Sequence, residues 1–270
     1  MTTKFIPDIS ASTVAAIIGL HRYKPVTEAM YDVLGKDKAI KERMRAIERA
    51  YNRRSLYSVK NEALADPNIR DCVTTALSAA ETSSDMDGIL DDAASRAKIV
   101  VALRFSHYAP ELQNMMVDEV RGQVARQRGT ANENKILNTY EEEQKVEVTE
   151  RNTRTFRKAY SNFKLVGRTD GFVASESRIV DSKDRVRFIE TPPIYDEIQL
   201  RVYMNLADAR ESELVERFPD GRRRLTRYTN DGDKWQAIEN GLVNASNAMQ
   251  NALENEEELK RIIFANTIGV

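Results

Sequence analysis

The sequence predicts a mixed α/β protein, and three observations support that class. Residues 36–127 are rich in charged residues and alanine, with only a sparse apolar stripe, which is typical of helices. After Gly129 the pattern changes to short stretches rich in β-branched residues, which favour strands. The chain has 270 residues, 41% of them hydrophobic, so it is long enough to bury a sizeable core. A fold in which helices pack on a sheet accounts for both the helical first half of the chain and the strand-rich second half.

The first half is predicted to be helical. A serine or threonine cap, an apolar turn and a closing glycine predict a short helix up to Gly19, and Pro25 opens a second that ends near Gly35. The following segment is predicted to form several helices, interrupted near Pro67 and Pro110. We therefore expect three segments: core helices, a helical insertion and the main core, at residues 1–35, 36–127 and 128–270.

The second half is predicted to alternate between strands and helices. A helix over 131–143 comes first, and a later helix over 196–209 follows two prolines. The turn at 219–221 predicts a hairpin, and a last helix runs from Lys234 past Leu253. Four further strands are expected, at 145–149, 163–167, 171–174 and 178–182.

Composition excludes several classes of protein. The formal net charge of -1 indicates neither a nucleic-acid nor a membrane partner, and no segment approaches the roughly 20 apolar residues that span a bilayer. The start of the chain lacks the apolar core of a secretion signal. One cysteine and two histidines exclude a disulfide framework and a histidine-rich zinc site. We expect an intracellular protein that is not secreted, in which oxygen ligands would hold any metal.

Two aspartates and a lysine form the most informative cluster. If 171–174 and 178–181 pair as a hairpin, Asp170 and Asp181 come together at the open ends of adjacent strands. Strand alternation then places Asp181 and Lys183 on one face and Ser182 on the other. Such carboxylates hold a divalent cation that polarises a phosphate, and the ammonium stabilises charge in the transition state. The plain alternative is that all three are solvated charges, because Asp-x-Lys tripeptides are common.

Two neighbouring polar residues could belong to the same cluster. Glu133 heads the apolar stripe of its helix, which points it toward the sheet, but Thr130 and Glu133 also match a helix-capping box. Gln199 shares a face with Tyr203 and so fits either a site residue or a structural hydrogen bond. Residues 151–187 contain ten basic and four acidic residues, a balance that suits a phosphate backbone as well as a solvated face.

Five segments in order resemble the YqaJ-like viral recombinase family, relatives of lambda exonuclease in the PD-(D/E)XK nuclease superfamily. They cover about two-fifths of the chain, and Thr169 stands where the family has proline. The serine motif lies at 9–19, the Arg-Gly-x-x-x-Glu helix at 128–133, the "PD" segment at 166–171, the (D/E)-x-K strand at 180–183 and the Gln-x-x-x-Tyr-Met helix at 195–204.

The resemblance implies a restriction-endonuclease-like core, a mixed central sheet flanked by helices, and a role for each matching residue. Asp170, Asp181 and Glu133 would ligate Mg²⁺ or Mn²⁺ together with the backbone carbonyl of Ser182. Lys183 would position the attacking water, and Gln199 would orient water or substrate beside it. Ser12 would bind a terminal 5′-phosphate, and the same motifs place Arg128 and Arg168 against the substrate.

The family's reaction is metal-dependent hydrolysis of DNA, usually 5′→3′ digestion of one strand of a duplex in recombination. By the same resemblance, partners would be DNA, a single-strand annealing protein and further copies in a ring-shaped trimer, inside a host cell if the protein is viral. Before the serine, only Lys4 could replace the arginine of lambda-type enzymes. A structure- or sequence-specific endonuclease therefore stays open, as does a derivative that binds DNA or protein without cutting.

Overall fold

The computed structural model describes residues 4–269, which form a mixed α/β protein. The helices are α1 (Ala11–Ile17), α2 (Val26–Leu34), α3 (Lys38–Ala50), α4 (Leu56–Ala65), α5 (Pro67–Thr82), α6 (Met86–Arg104), α7 (Pro110–Gln144), α8 (Ile194–Ala207), α9 (Gly232–Glu254) and α10 (Glu256–Ala265). The strands are β1 (Asp8–Ser10), β2 (Arg53–Ser55), β3 (Thr155–Ala159), β4 (Lys164–Arg168), β5 (Gly171–Val173), β6 (Arg178–Asp184), β7 (Glu211–Arg217), β8 (Arg223–Thr229) and β9 (Thr267–Gly269).

A four-stranded sheet in the order β5-β6-β7-β8 carries the predicted chemistry. The predicted hairpin is confirmed: β5 and β6 are antiparallel, and Gly171 pairs with Val180. β6 and β7 are parallel, so the chain must cross over between them, and α8 makes that connection. The predicted second hairpin is also confirmed, as β7 and β8 pair along their whole length.

Helices cover both faces of this sheet, and the alternation of β6 decides which side chains they meet. Val180 packs with Leu137 and Tyr140 of α7. Ile179, on the opposite face, belongs to the main core with Ile198 of α8. Because side chains alternate along a strand, Asp181 and Lys183 share the face of Ile179, toward α8. This places the aspartate–lysine pair between β6 and α8.

The insertion beyond α3 has a hydrophobic core of its own, whereas Met44 and Ile47 of α3 belong to the main core. Buried residues from Val59 to Val124, on α4, α5, α6 and the first half of α7, form this separate cluster. The predicted helices are present, but β2, which pairs with β9 near the end of the described chain, was not anticipated. A single helix also runs through residue 128, the expected start of the main core. In residues 4–269, no helix is long and apolar enough to cross a membrane.

Two local predictions are corrected, and two strands were not anticipated. Gly129 does not interrupt the helix: it lies within α7, which has 35 residues, so the helix expected over 131–143 is only the end of α7. Residues 145–149 do not form the expected strand. Lys145 ends α7 in a left-handed conformation, and of these five residues only Thr149 makes a β-bridge, with Phe172. β1 and β3, which flank β4 in a second sheet, were not predicted from their three and five residues.

A pair of glycine substitutions tests this packing. A Cβ on Gly167 in β4 would lie 2.7 Å from Cε1 of Tyr203, so Gly167→Ala should lower the free energy of unfolding by about 1–3 kcal/mol. A Cβ on Gly129 meets nothing within 4 Å among the described atoms, and alanine favours helix, so Gly129→Ala should raise stability by about 0.5–1 kcal/mol. Urea denaturation measures both. Equal effects would contradict the packing of α8 on β4.

Candidate active site

Asp170 and Asp181 face each other at the end of the β5–β6 hairpin. Asp170 lies where the chain leaves β4 and enters β5, one step beyond the pair formed by Gly171 and Val180. The antiparallel register therefore places it opposite Asp181. Its Oδ2 accepts hydrogen bonds from the backbone nitrogen of Ser182 at 2.8 Å and from its Oγ at 3.1 Å. The hairpin thus holds one carboxylate of the pair firmly in place.

Lys183 completes the cluster on the same strand. Its Nζ lies 2.6 Å from Oδ2 of Asp181, as the predicted alternation requires. Burial lowers the pKa of Lys183, but the charges of Asp181 and Asp170 oppose this and leave the pKa above its usual value. Lys183 is therefore a cation at neutral pH and pairs directly with Asp181.

The two carboxylates carry more negative charge than this one ammonium balances. Burial, followed by the charge of Asp181, raises the pKa of Asp170 to about 7, although Lys183 acts in the opposite direction. Oδ1 of Asp181 is buried and accepts no hydrogen bond from any residue in 4–269. A buried carboxylate oxygen without a partner is costly, so this oxygen suits an additional cation.

Glu133 lies near the pair but not in it. Its charge contributes to the raised pKa of Asp170, yet its Oε1 accepts a short hydrogen bond from Nδ2 of Asn152. The capping-box interpretation is wrong, since α7 begins at Pro110 and Thr130 donates to the carbonyl of Arg126 instead. Over residues 4–269, no three acidic, histidine or cysteine side chains form a ready metal-binding group. Glu133 comes from α7, which covers the other face of β6, and its side-chain hydrogen bond is to Asn152 rather than to either aspartate.

Gln199 belongs to the α8 side of the cluster. Its Nε2 lies 2.9 Å from the hydroxyl of Tyr203, to which it donates a hydrogen bond. Burial raises the pKa of Tyr203, and the charge of Asp181 raises it further, so this hydroxyl stays protonated near the acidic pair. The structure thus gives Gln199 a hydrogen bond inside the protein at the edge of the site. A direct role toward substrate stays a prediction.

The three residues expected to bind substrate differ in accessibility. Ser12 is exposed in the first turn of α1, with its Oγ 3.4 Å from that of Ser10. Arg168 is exposed at the end of β4, directly before the turn to Asp170. Arg128 is instead buried, 3.2 Å from Asp184 and from the backbone carbonyl of Arg185. We therefore expect Arg128 to support β6 from α7 rather than to contact DNA.

Sequence reasoning missed a buried ion network beside Lys183. Arg185 lies 2.6 Å from Asp196 at the start of α8 and 2.7 Å from Glu216 on β7. The charge of Asp196 also raises the pKa of Lys183, which places this carboxylate beside the cluster. One signal was available, because Asp196 precedes Gln199 by one helical turn and so shares its face. The network joins the strand of Lys183 to the helix of Gln199.

The arginines of β8 and of the turn before it, Arg222, Arg223, Arg224 and Arg227, are largely neutralised by carboxylates. Arg222 pairs with Asp220, Arg223 with Glu143, Arg224 with Glu216, and Arg227 with Glu211 and Glu213. Guanidiniums bound to carboxylates attract a phosphate backbone less than free ones do. This cluster of arginines therefore fits ion pairing within the protein better than a DNA-binding role.

Comparison with known proteins yields structural similarities only. No known protein family matches the chain, and no curated protein sequence does. An alkaline exonuclease (LHK-Exo) from Laribacter hongkongensis is similar in structure at 22% identity and a TM-score of 0.39, over 57% of this chain and 85% of that one. A phage-related exonuclease from Haemophilus somnus 129PT is similar at 13% identity and a TM-score of 0.46, over 94% and 97%. SSO0001 is similar at 17% identity and a TM-score of 0.38, over 78% and 91%.

Proposed function

We propose that this protein is a metal-dependent deoxyribonuclease that hydrolyses phosphodiester bonds of DNA. One observation carries the proposal: Asp170, Asp181 and Lys183 come together at the end of one hairpin, and a buried oxygen of Asp181 has no hydrogen-bond partner within residues 4–269. A buried cluster of two carboxylates and an amine contributes little to the stability of a protein, and such clusters are typical of active sites. Phosphodiester hydrolysis is the chemistry that this set of groups suits. The roles proposed below for the other residues depend on their positions around this cluster.

The donor set fits a hard divalent cation. Asp170 and Asp181 offer carboxylate oxygens, and the backbone carbonyl of Ser182 and the carboxylate of Glu133 are the further ligands we propose. Glu133 can join only if its hydrogen bond to Asn152 is released. Oxygen ligands of this kind suit Mg²⁺ or Mn²⁺. When bound, such an ion polarises the scissile phosphate and lowers the pKa of a coordinated water.

The protein's own residues then position the reactants. Lys183, held as a cation, orients the attacking water or stabilises charge on the phosphate. Gln199, which donates a hydrogen bond to the hydroxyl of Tyr203, is proposed to orient water or substrate near that lysine. Ser12 and Arg168 are exposed and free to contact the DNA backbone, with Ser12 proposed for a terminal 5′-phosphate.

The resemblance of the five motifs extends this proposal. It favours a 5′→3′ exonuclease on double-stranded DNA that acts in viral or phage-type recombination, repair or genome processing. Inside the cell, the protein would assemble with further copies of itself into a ring-shaped trimer and would act together with a single-strand annealing protein. The second candidate is an endonuclease with the same chemistry, because the described chain offers only Lys4, bound to Asn162, where lambda-type enzymes use arginine to recognise DNA ends.

Cleavage of circular and linear forms of one duplex tests the function. We expect the purified protein with Mn²⁺ to digest the linear form and to lose all activity in excess EDTA. Cutting of the closed circle would instead indicate the endonuclease. Absence of cleavage on every DNA form, with Mg²⁺ and with Mn²⁺, would contradict a nuclease and favour a derivative that binds without cutting.

Metal binding should also stabilise the fold. An ion that binds only the folded protein adds about 2.7 kcal/mol at 100 times its dissociation constant, so Mn²⁺ should raise the melting temperature. Asp181→Asn should remove most of this increase, because it removes a charged ligand. Asp87→Asn, at an exposed carboxylate in the first turn of α6, is the matched control and should keep the increase. Scanning calorimetry with EDTA and with Mn²⁺ measures both, and equal increases in the two variants would refute the assignment.

A further inference from the structure

A cleft of about 630 Å³ opens beside the proposed active site. The segment that follows β6 forms one wall, and Arg22 and Tyr23, which follow α1, form the other. Pro192 and Pro193 line it next to the start of α8. Prolines restrict the backbone, so little conformational entropy is lost when this wall meets a ligand.

The cleft adjoins Lys183 through chain connectivity as well as through space. Arg185, two residues beyond Lys183, lines the cleft and binds Asp196. Tyr195, adjacent to Asp196, lines it as well. A strand of DNA that places a phosphate at Lys183 therefore has its next nucleotides within reach of this cleft.

Two of the residues that line the cleft, Tyr23 and Tyr195, are both in contact with the ring of His21. His21 stacks on Tyr195 with ring centroids 4.4 Å apart and planes 21° from parallel. Tyr23 meets His21 edge to face at 6.4 Å, and 63% of Tyr23 is exposed. Nδ1 of His21 accepts hydrogen bonds from the backbone nitrogens of Tyr23 and Lys24 at 3.2 and 3.0 Å, which fixes the ring. Tyr23 is therefore an exposed ring next to a fixed one, an arrangement that suits stacking of a nucleotide base on Tyr23.

The charge of the cleft complements a nucleic-acid backbone. Arg22 lies 5.5 Å from the ring centre of Tyr23, and Arg187 is exposed on the opposite wall. Among residues 4–269 neither forms an ion pair, in contrast to the paired arginines of β8. Glu190 is the one acidic residue that the described lining contains. Guanidiniums without an ion-pair partner, together with an exposed aromatic ring, are the usual elements of a site for single-stranded nucleic acid.

We propose that this cleft binds unpaired nucleotides of the DNA strand that is cut, with a base stacked on Tyr23 and the backbone on Arg22 and Arg187. The proposal rests on the proposed nuclease function for its placement, but it makes a separate claim about the ligand. A duplex buries the faces of its internal bases in its own stack, so a tyrosine can stack only on an unpaired base or a terminal pair. The cleft therefore selects single-stranded DNA over intact duplex.

Fluorescence anisotropy of labelled oligonucleotides tests this in EDTA, where no cleavage occurs. The full-length protein should bind a single-stranded 12-mer more tightly than a blunt hairpin of the same length. Tyr23→Ala should weaken single-strand binding about 5- to 100-fold, the effect of losing one base–aromatic stack, and Tyr23→Phe should restore it. Arg187→Ala should reduce the salt slope by about one. Tyr57→Ala, at a tyrosine 71% exposed on α4, is the matched control and should change nothing.

The outcomes separate this proposal from the nuclease function. A protein that cleaves DNA with Mn²⁺ but binds single strands equally well with Tyr23→Ala would overturn the cleft and keep the nuclease. A protein that never cleaves but loses single-strand affinity with Tyr23→Ala would keep the cleft and overturn the nuclease. Equal loss on the single strand and on the hairpin would overturn the selectivity for unpaired bases.

Discussion

Lys183→Ala should lower the rate of DNA cleavage about 100- to 1000-fold, the usual cost of removing one group that stabilises charge in the transition state. The amine pairs with Asp181, and the charges of Asp181 and Asp170 keep it protonated, so its loss removes a fixed positive charge from the site of the reacting phosphate. DNA affinity in EDTA should change by less than about threefold, because one charge among several backbone contacts contributes little to binding. Single-turnover rates with Mn²⁺ and anisotropy in EDTA measure the two effects.

The matched control is Lys98→Ala, at an exposed lysine on α6. It removes the same charge from the insertion and should leave both the rate and the affinity unchanged. If Lys183→Ala cleaved DNA as fast as the unmodified protein, Lys183 would have no part in the chemistry. If both its rate and its affinity fell equally, the lysine would act in binding alone.

Arg185→Ala should lower the free energy of unfolding by about 3–5 kcal/mol, the typical cost of removing one partner from a buried ion pair. The change removes the ion-pair partner of Asp196, a residue that is only 3% exposed. It also removes one of the two arginines that pair with the fully buried Glu216. Urea denaturation in EDTA measures the loss. Adding Asp196→Asn should recover part of it, because the two residues act as a unit.

Arg261→Ala is the control for this experiment. Arg261 pairs with Glu258 one turn away on α10, and its side chain is 73% exposed, so its loss should change stability by less than about 1 kcal/mol. A loss below 1 kcal/mol for Arg185→Ala as well would mean that the buried network does not hold β6 to α8.

The hairpin and the aspartate–lysine pair could be predicted from the sequence because both depend on short-range rules. Strand alternation alone places Asp181 and Lys183 on one face, and the short connection between β5 and β6, four residues at 174–177, favours their pairing as a hairpin. Asp170 then faces Asp181 without any knowledge of the remaining fold. The helical character of the insertion follows from composition in the same way.

The position of Glu133 could not be predicted, because it depends on long-range packing. Gly129 looked like a helix boundary, yet the packing of α7 against the sheet outweighs the modest cost of one glycine inside a helix. Asn152, which donates a hydrogen bond to Glu133, lies beyond the end of α7 and has a left-handed backbone conformation. No local sequence pattern predicts this conformation. The parallel pairing of β1 with β4, which joins residues more than 150 positions apart, has no sequence signal of its own.

The position of a bound Mn²⁺ ion, located by its anomalous scattering in a crystal of the full-length protein, tests the central claim most directly. We expect one peak within about 2.5 Å of carboxylate oxygens of both Asp170 and Asp181, beside Lys183. A peak elsewhere, or none at these carboxylates under saturating Mn²⁺, would contradict a metal-dependent nuclease site at the end of this hairpin.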